Sequence, residues 1–442
     1  MALALSSSDV GGRARRRTAA RLLPFVFVLY VANYLDRANL AYATLRMSRD
    51  LGFGDRVFGT AAGIFFIGYL TLQIPGALMV ERWSARRLIS GIMILWGGLT
   101  VLTGSVHTSS QLYAARFVLG VAEAGFFPGV IVYLSHWFIY EDRAKAVANF
   151  MGAIPVSFAI GSPLAGLMLG VHWWGIQGWR WLFLLEGLPA ILLGVVALFY
   201  LPDWPAEARW LPAEERDWIT ARLEQEKQAK ADVRAYSVWN AMRYPPVIIL
   251  ALVVLFEYTA GYAFQFWFPT ILKRLSELSD LRVTLLGSLP YIVGFLAMQV
   301  AGWHSDRTGE RRWHTAAPCF ISAGALLLLI GLSPGTDLSV ALFTVVGVQA
   351  AFLPCFWTLP PALLSESAAA VCVGLINLVG SVGGFVGPYV MGYLYSRTHS
   401  FTAGLAFMTA GFALSGLLVL FCPDPRRAKS SAATAPVDEA EA

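Results

Sequence analysis

Apolar residues fill the chain in runs of about 20, separated by short polar segments, and this is the length at which an α-helix crosses the hydrocarbon core of a bilayer. The pattern predicts twelve spans, near 21–45, 58–80, 88–107, 112–138, 145–170, 180–201, 247–272, 284–304, 314–332, 338–364, 370–396 and 402–422. The expected class is an all-α membrane protein with twelve transmembrane helices. Between the sixth and seventh spans lies the only long polar stretch, 202–246, where Pro212 followed by AEERDWITARLEQEKQ predicts a short surface helix. It links a six-span bundle at 21–201 to a second at 247–422, with polar tails at 1–20 and 423–442.

The two bundles echo each other. GALMVERWSARR follows the second span and GWHSDRTGERR the eighth, which sets Glu81 and Asp306 225 residues apart; Pro163 in GSPLAG and Pro388 in GPYVMG have the same offset of 225. Two independent pairs with one offset point to an internal duplication, the construction used by alternating-access carriers. Lys and Arg sort by side, 23 against 8, so the positive-inside rule places both termini in the cytosol. The basic cluster at 13–17 follows a short apolar stretch, the reverse of the order in a secretory signal, and no cleaved leader is expected.

Composition narrows the chemistry. Charged residues are 14% where soluble domains have about 25%, and 57% of the chain is hydrophobic, as lipid-facing spans require. The net charge of +5 resides in short loops, so no nucleic acid partner is expected. Cys319, Cys355, Cys372 and Cys422 are scattered singly, without metal-ligand spacing or a disulfide framework, and read as packing residues. None of the five lysines follows a glycine, which excludes a GxxxxGK[ST] phosphate loop and ATP hydrolysis. With no HExxH or His–acid cluster apparent, the protein is not expected to be an enzyme, and neither metal nor cofactor is expected.

Ionisable groups at bilayer depth cost about 2.5 to 3.5 kcal/mol each on insertion scales, so those that occur are functional candidates. Five stand out: Asp36, Arg37, Arg116, Glu123 and Glu186. Arg116 and Glu123 are two helical turns apart and share a face, with Gly120 between them leaving room for a ligand or a neighbouring helix. On the first span Tyr30, Asn33, Tyr34 and Arg37 form one stripe, and Asp36, turned about 100° away, must meet other partners. The competing reading is that these charges only lock helices together, and for Glu186 that reading leads. Shifting by 225 gives Gly261, Tyr262, Ala341 and Val348 for the first four, so the duplicated fold does not itself require charge there. Glu257, in the seventh span, is open between a further titrating group and a hydrogen-bonded core acid. Tyr258, Tyr262, Phe264, Phe266, Trp267 and, in the tenth span, Trp357 are open between packing and lining a cavity for an aromatic acid.

The loops after the second and eighth spans resemble the signature loop of the major facilitator superfamily. The second copy is the closer match; the first departs at Ala77, Glu81 and Ser84, which implies a less tightly turned loop. NYLDRANLAYA, RFVLGVAEAGFFPG, GWRWLFLLEGLPA, HSDRTGERRWH and GGFVGPYVMGYL resemble the anion:cation symporter family, in its tartrate, phthalate and hydroxyphenylacetate permease branch, over residues 20–425. The resemblance implies the major facilitator fold, two pseudo-symmetric six-helix bundles, in a monomer of the inner (plasma) membrane. It also implies proton-coupled uptake of a small organic carboxylate, tartrate-like or aromatic, by alternating access; a uniporter or an anion/anion exchanger shares the fold. Carried over by residue, it makes Asp36 and Glu123 the proton-coupling acids and Tyr34, Arg37 and Tyr69 substrate contacts, with Arg116 beside them modulating one acid. Trp357, Asn377 and Ser381 are the substrate contacts expected of the second bundle. Glu81, Arg82, Asp306, Arg307 and Arg311 form the conformational loops. Ser381 stands where the family often has Asn, and Ile154 where sugar-acid permeases have a polar residue, which disfavours a long polyhydroxylated cargo.

Overall fold

The computed structural model describes residues 2–82, 84–231, 244–276, 278–360 and 366–423. Among these the regular structure is helical, with no strand. Among the described residues eleven helices are long and apolar enough to cross a membrane: Val10–Leu51, Ala85–Thr103, Ser109–Ser135, Tyr140–Leu169, Gly178–Tyr200, Pro245–Leu275, Asp280–Thr308, Arg312–Leu332, Thr336–Phe356, Cys372–Thr398 and Thr402–Leu420. The remaining predicted span, 58–80, lies on the helix Asp55–Arg82, whose side chains are described only in part. In chain order these are the first to twelfth spans, and the predicted end of the tenth, past residue 360, lies outside the described residues.

The first helix is longer than its apolar run. It begins at Ala2, so the expected tail at 1–20 is itself helical. Ala, Leu and Arg are strong helix formers, and the arginines have partners: Arg15 donates twice to Asp142 at 2.6 Å. Arg17 and Arg13 reach Glu215 at 3.1 and 3.5 Å, on the linker helix Ala213–Ala231 that the sequence predicts. Gly52, at φ +67°, closes the other end, where the Phe53 N–H donates back to the Ser48 carbonyl at 2.9 Å.

The chain forms two compact units, Met1–Val233 with Glu277–Ser288, and Arg234–Ser276 with Leu289–Ala442. In the first, the third span packs on the sixth, the second on the fourth, and the first on the fifth and sixth. In the second, the ninth packs on the twelfth, the eighth on the tenth, and the seventh on the eleventh and twelfth. Adding six to each span number of the first set gives the second, so the duplication seen in motifs is also a duplication of packing. Segment 277–288 belongs with the first unit, where Arg46 pairs with Asp280 at 2.8 Å and the Ser162 hydroxyl donates to the Thr284 carbonyl at 2.5 Å.

Two spans break at matching places. The fourth helix stops at Glu123 and resumes at Phe126; Pro128 has no N–H for the carbonyl four residues back. The tenth is interrupted by a 3₁₀ turn, Gly347–Ala351, ahead of Phe352–Phe356, with Pro354 in the same role. Shifting the fourth-span break by 225 lands on the tenth-span turn.

Small residues set the close helix approaches, as in other membrane bundles. Gly97 of the third span and Gly187 of the sixth face each other's backbones, and a Cβ on Gly97 would lie 2.7 Å from the Gly187 carbonyl oxygen. Beside it, Gly98 faces open space. Gly97→Ala should therefore destabilise the first unit by about 1 to 3 kcal/mol through overpacking. Gly98→Ala should leave stability unchanged or improve it by up to about 1 kcal/mol, the helix preference of Ala over Gly. Thermal unfolding of the two purified variants separates these outcomes; equal melting temperatures would contradict the packing described.

Candidate functional site

The five intramembrane charges expected from sequence converge in the first unit. Arg37 and Asn33, one turn apart on the first span, both donate to Oε2 of Glu123 at the fourth-span break, Arg37 through Nε at 3.0 Å and Asn33 through its amide at 2.8 Å. Asp36, on a different face as its 100° offset requires, accepts at Oδ1 from the Thr100 hydroxyl of the third span at 2.5 Å and from the Asn39 amide at 3.0 Å. Glu123 and Arg116 are the charges that act on Asp36. Arg116, fully buried, lies within reach of both acids and of Arg37. Glu186 faces Asp36 and the Asn39 side chain. Among the described residues Glu186 forms no ion pair, and its contact with Asn39 is one between the sixth span and the first.

Around the arginines the surface is aromatic. The Arg37 guanidinium carbon lies 5.1 Å from the Tyr34 ring centre, 4.9 Å from Tyr69 and 5.4 Å from Phe65, and that of Arg116 lies 4.8 Å from Phe65. A guanidinium over rings is held in place by its attraction to their faces and keeps its planar edge for anions. What Gly120 makes room for is a neighbouring helix: a Cβ there would run into the Phe65 carbonyl of the second span.

Polar satisfaction around these charges is incomplete. Asp36 Oδ2, Glu123 Oε1 and Glu186 Oε2 are buried oxygens with no hydrogen-bond partner among the described residues, and the same holds for all three guanidinium nitrogens of Arg116. Buried polar groups in folded proteins are nearly always paired. Each acid thus keeps one oxygen available to a proton, and Arg116 keeps donors available to an oxygen.

The sequence pattern assigns no site role to Asn33, Asn39 or Thr100. Asn33 shares the stripe of Arg37, which was a usable signal. A lone Thr in an apolar span gives none, since its hydroxyl ordinarily satisfies its own helix.

In the second unit, the Ser381 hydroxyl donates to the Asn377 carbonyl at 2.9 Å, one turn back, and Trp357 sits edge-on to Phe356 at 5.2 Å. A cavity of about 370 Å³ lies in this unit against Val300, His304, Trp313, Pro318 and Ile321. It is almost wholly apolar and holds none of the expected site residues.

The second signature loop is tightly turned at Gly309, φ +67°. Asp306 pairs with Arg311 at 2.6 Å, Arg311 donates to the Ser305 hydroxyl at 3.0 Å, and the Arg307 guanidinium lies 5.6 Å from the Trp303 ring centre. A His–acid contact, not anticipated from sequence, completes it: Glu310 meets His314 Nδ1 at 2.7 Å, and His314 Nε2 meets His304 Nδ1 at 2.6 Å. The side chains of Glu81 and Arg82 in the first loop lie outside the described residues. Ser84 of that loop is described, capping the third span and donating to Asp203 at 2.6 Å.

A family model described as Major Facilitator Superfamily matches residues 26–388. A "Putative tartrate transporter" of Agrobacterium vitis is 40% identical over 417 residues, covering 94% of this chain and 95% of its own. A "Quinolone resistance transporter" of Acinetobacter baumannii is 34% identical, covering 92% of this chain and 94% of its own. Among solved structures, that of a D-xylose-proton symporter has a TM-score of 0.72 at 13% identity, covering 92% of this chain and 99% of that one, a likeness of fold.

The loop chemistry is testable through Glu310, which lies between spans. Burial pushes its carboxyl up, but the backbone N–H of Trp313 and the His314 ring and N–H outweigh burial and hold it below the usual carboxylate value. A depressed acid contributes stability that is present above its unfolded value, about 4.3, and is lost as pH falls through the lower folded value. Glu310→Gln should lower the melting temperature near neutral pH, and the gap to the parent should close below about pH 4. A gap that stays constant with pH would contradict the assignment.

Proposed function

This chain belongs to the major facilitator superfamily, and on that premise we propose that it is a secondary active carrier. In this reading it takes up a small organic carboxylate, tartrate-like or aromatic, together with protons across the inner (plasma) membrane, with both termini cytosolic. It works by alternating access as a monomer, without metal or cofactor. The observation that carries this is the shared Glu123 oxygen: the Arg37 and Asn33 donors converge on an acid whose other oxygen, like one of Asp36, is buried and unbonded.

The steps follow from that arrangement. An incoming carboxylate accepts from the Arg37 guanidinium, whose planar fork matches it, with Tyr34 and Tyr69 at its sides. To do so it displaces Glu123. A carboxylate that loses its arginine in a low-dielectric site binds a proton more readily, so cargo and proton favour each other's binding. Arg116 supplies charge to Asp36 and Glu123 alike. The membrane potential demands the same coupling, because bringing one negative charge into a negative interior costs about 2.3 kcal/mol per 100 mV. The tartrate reading is supported by the name of the Agrobacterium vitis relative.

Two results are expected in proteoliposomes given radiolabelled tartrate and benzoate and an imposed pH gradient. Arg37→Lys should weaken apparent affinity roughly ten- to a hundredfold, the range of about 1.5 to 3 kcal/mol for a charge-assisted bond. Asp36→Asn and Glu123→Gln should abolish accumulation driven by the gradient while exchange of cargo across the membrane persists. Accumulation in both variants equal to the parent's would mean that coupling lies elsewhere, and persistence of gradient-independent uptake in the parent would favour a uniporter or exchanger.

A further inference from the structure

Glu257 lies midway along the seventh span and is 3% exposed. Among the described residues no hydrogen bond or ion pair reaches its carboxyl, so the core-acid reading lacks the bonds it needs. The groups that could compensate it can be enumerated. On its own span Tyr258 and Tyr262 are near in sequence, while Lys273 and Arg274 are roughly 24 Å along the axis. Of the spans packed around the seventh, the eleventh has only Cys372, Tyr389, Tyr393 and Tyr395 as titratable groups between 372 and 396, and the twelfth has none over Thr402–Leu420. The tenth has Asp337 and the Cys355 thiol within its described length, and the ninth, past His314, offers the Cys319 thiol, which faces Glu257.

A side-chain amide borders the same space beside Gly261. A Cβ on Gly261, one turn beyond Glu257, would lie 3.4 Å from Glu257 Oε1 and 3.5 Å from Gln349 Oε1. Gln349 sits within the 3₁₀ turn that breaks the tenth span. The repeat gives the place its meaning: Gly261 is 225 residues after Asp36, and Gln349 is 225 after Ala124, the residue next to Glu123. At the position that holds Asp36 and Glu123 in the first unit, the second unit brings together a different acid and an amide oxygen, again at a helix break.

We propose that Glu257 and Gln349 form a second proton-binding site, in which the protonated Glu257 carboxyl donates a hydrogen bond to the Gln349 amide oxygen and the proton leaves when that contact opens. A lone carboxylate in hydrocarbon surroundings costs several kcal/mol unless paired. Protonation turns it into a donor, and the amide oxygen is an acceptor. The proposal rests on the carrier reading above, but the test below needs no cargo.

The test is infrared difference spectroscopy of the full-length protein in lipid during a pH titration, reading the C=O stretch of protonated carboxyls. It is run in the parent and in an Asp36→Asn/Glu123→Gln background, so that the first-unit acids do not obscure the signal. Glu257→Gln should remove one titrating component in both. Gln349→Leu should keep that component and shift its frequency, since the carboxyl loses its acceptor. Retention of the full titrating signal in Glu257→Gln overturns the proposal; loss there without a shift in Gln349→Leu removes Gln349 from the site. If Glu257→Gln does not fold, the Gln349→Leu shift decides alone. A parent that accumulates no carboxylate would count against the carrier reading and leave this signal a separate result.

Discussion

Five ionisable side chains share the interior of one six-span unit, three carboxylates and two guanidiniums, and their charges cannot cancel without help. Fully ionised, Asp36, Glu123 and Glu186 exceed Arg37 and Arg116 by one negative charge. In surroundings of low polarity an unbalanced charge is expensive, and in the proposed reading the balance is made by something that comes and goes. Each acid has a buried oxygen without a partner, and a proton is the smallest species that fits there. Adding a carboxylate raises the imbalance again and calls for another. On this account electroneutrality couples the two cargoes.

The helical architecture serves that constraint. Glu123 is positioned by the end of a helix segment, where Pro128 interrupts the backbone ladder. Close glycine contacts bring the second and fourth spans together, so that Phe65 can lie under Arg116 and Tyr69 beside Arg37. Broken helices in corresponding positions of two repeats are where carriers hold their ligands, and the tenth-span turn at Gly347–Ala351 shows that the second unit kept the break while changing the residues.

Much of this was legible in the chain. Apolar run length located the eleven spans found among the described residues, because a bilayer imposes one length on all of them. The charged residues announced themselves by being at the wrong depth. What stayed hidden depends on how helices are rotated against each other. Nothing in a linear pattern says that Thr100 of the third span, rather than another hydroxyl, meets Asp36, or that Ser84 and Asp203 tie the first loop to the end of the sixth span. The helical N-terminus was missed for a related reason: Arg13, Arg15 and Arg17 look like a solvated tail until their partners Glu215 and Asp142, more than a hundred residues on, are placed beside them.

The central claim is that a carboxylate displaces Glu123 from Arg37 and thereby draws in a proton. Purified protein in weakly buffered solution tests it directly, using whichever of tartrate and benzoate raises its melting temperature. Addition of that ligand should take up protons, about one for each benzoate bound and more for the doubly charged tartrate, seen as a rise in pH, since linkage makes the two bindings reciprocal. The uptake should vanish in Glu123→Gln, which cannot titrate. Saturating ligand binding with no proton uptake in the parent would contradict the account.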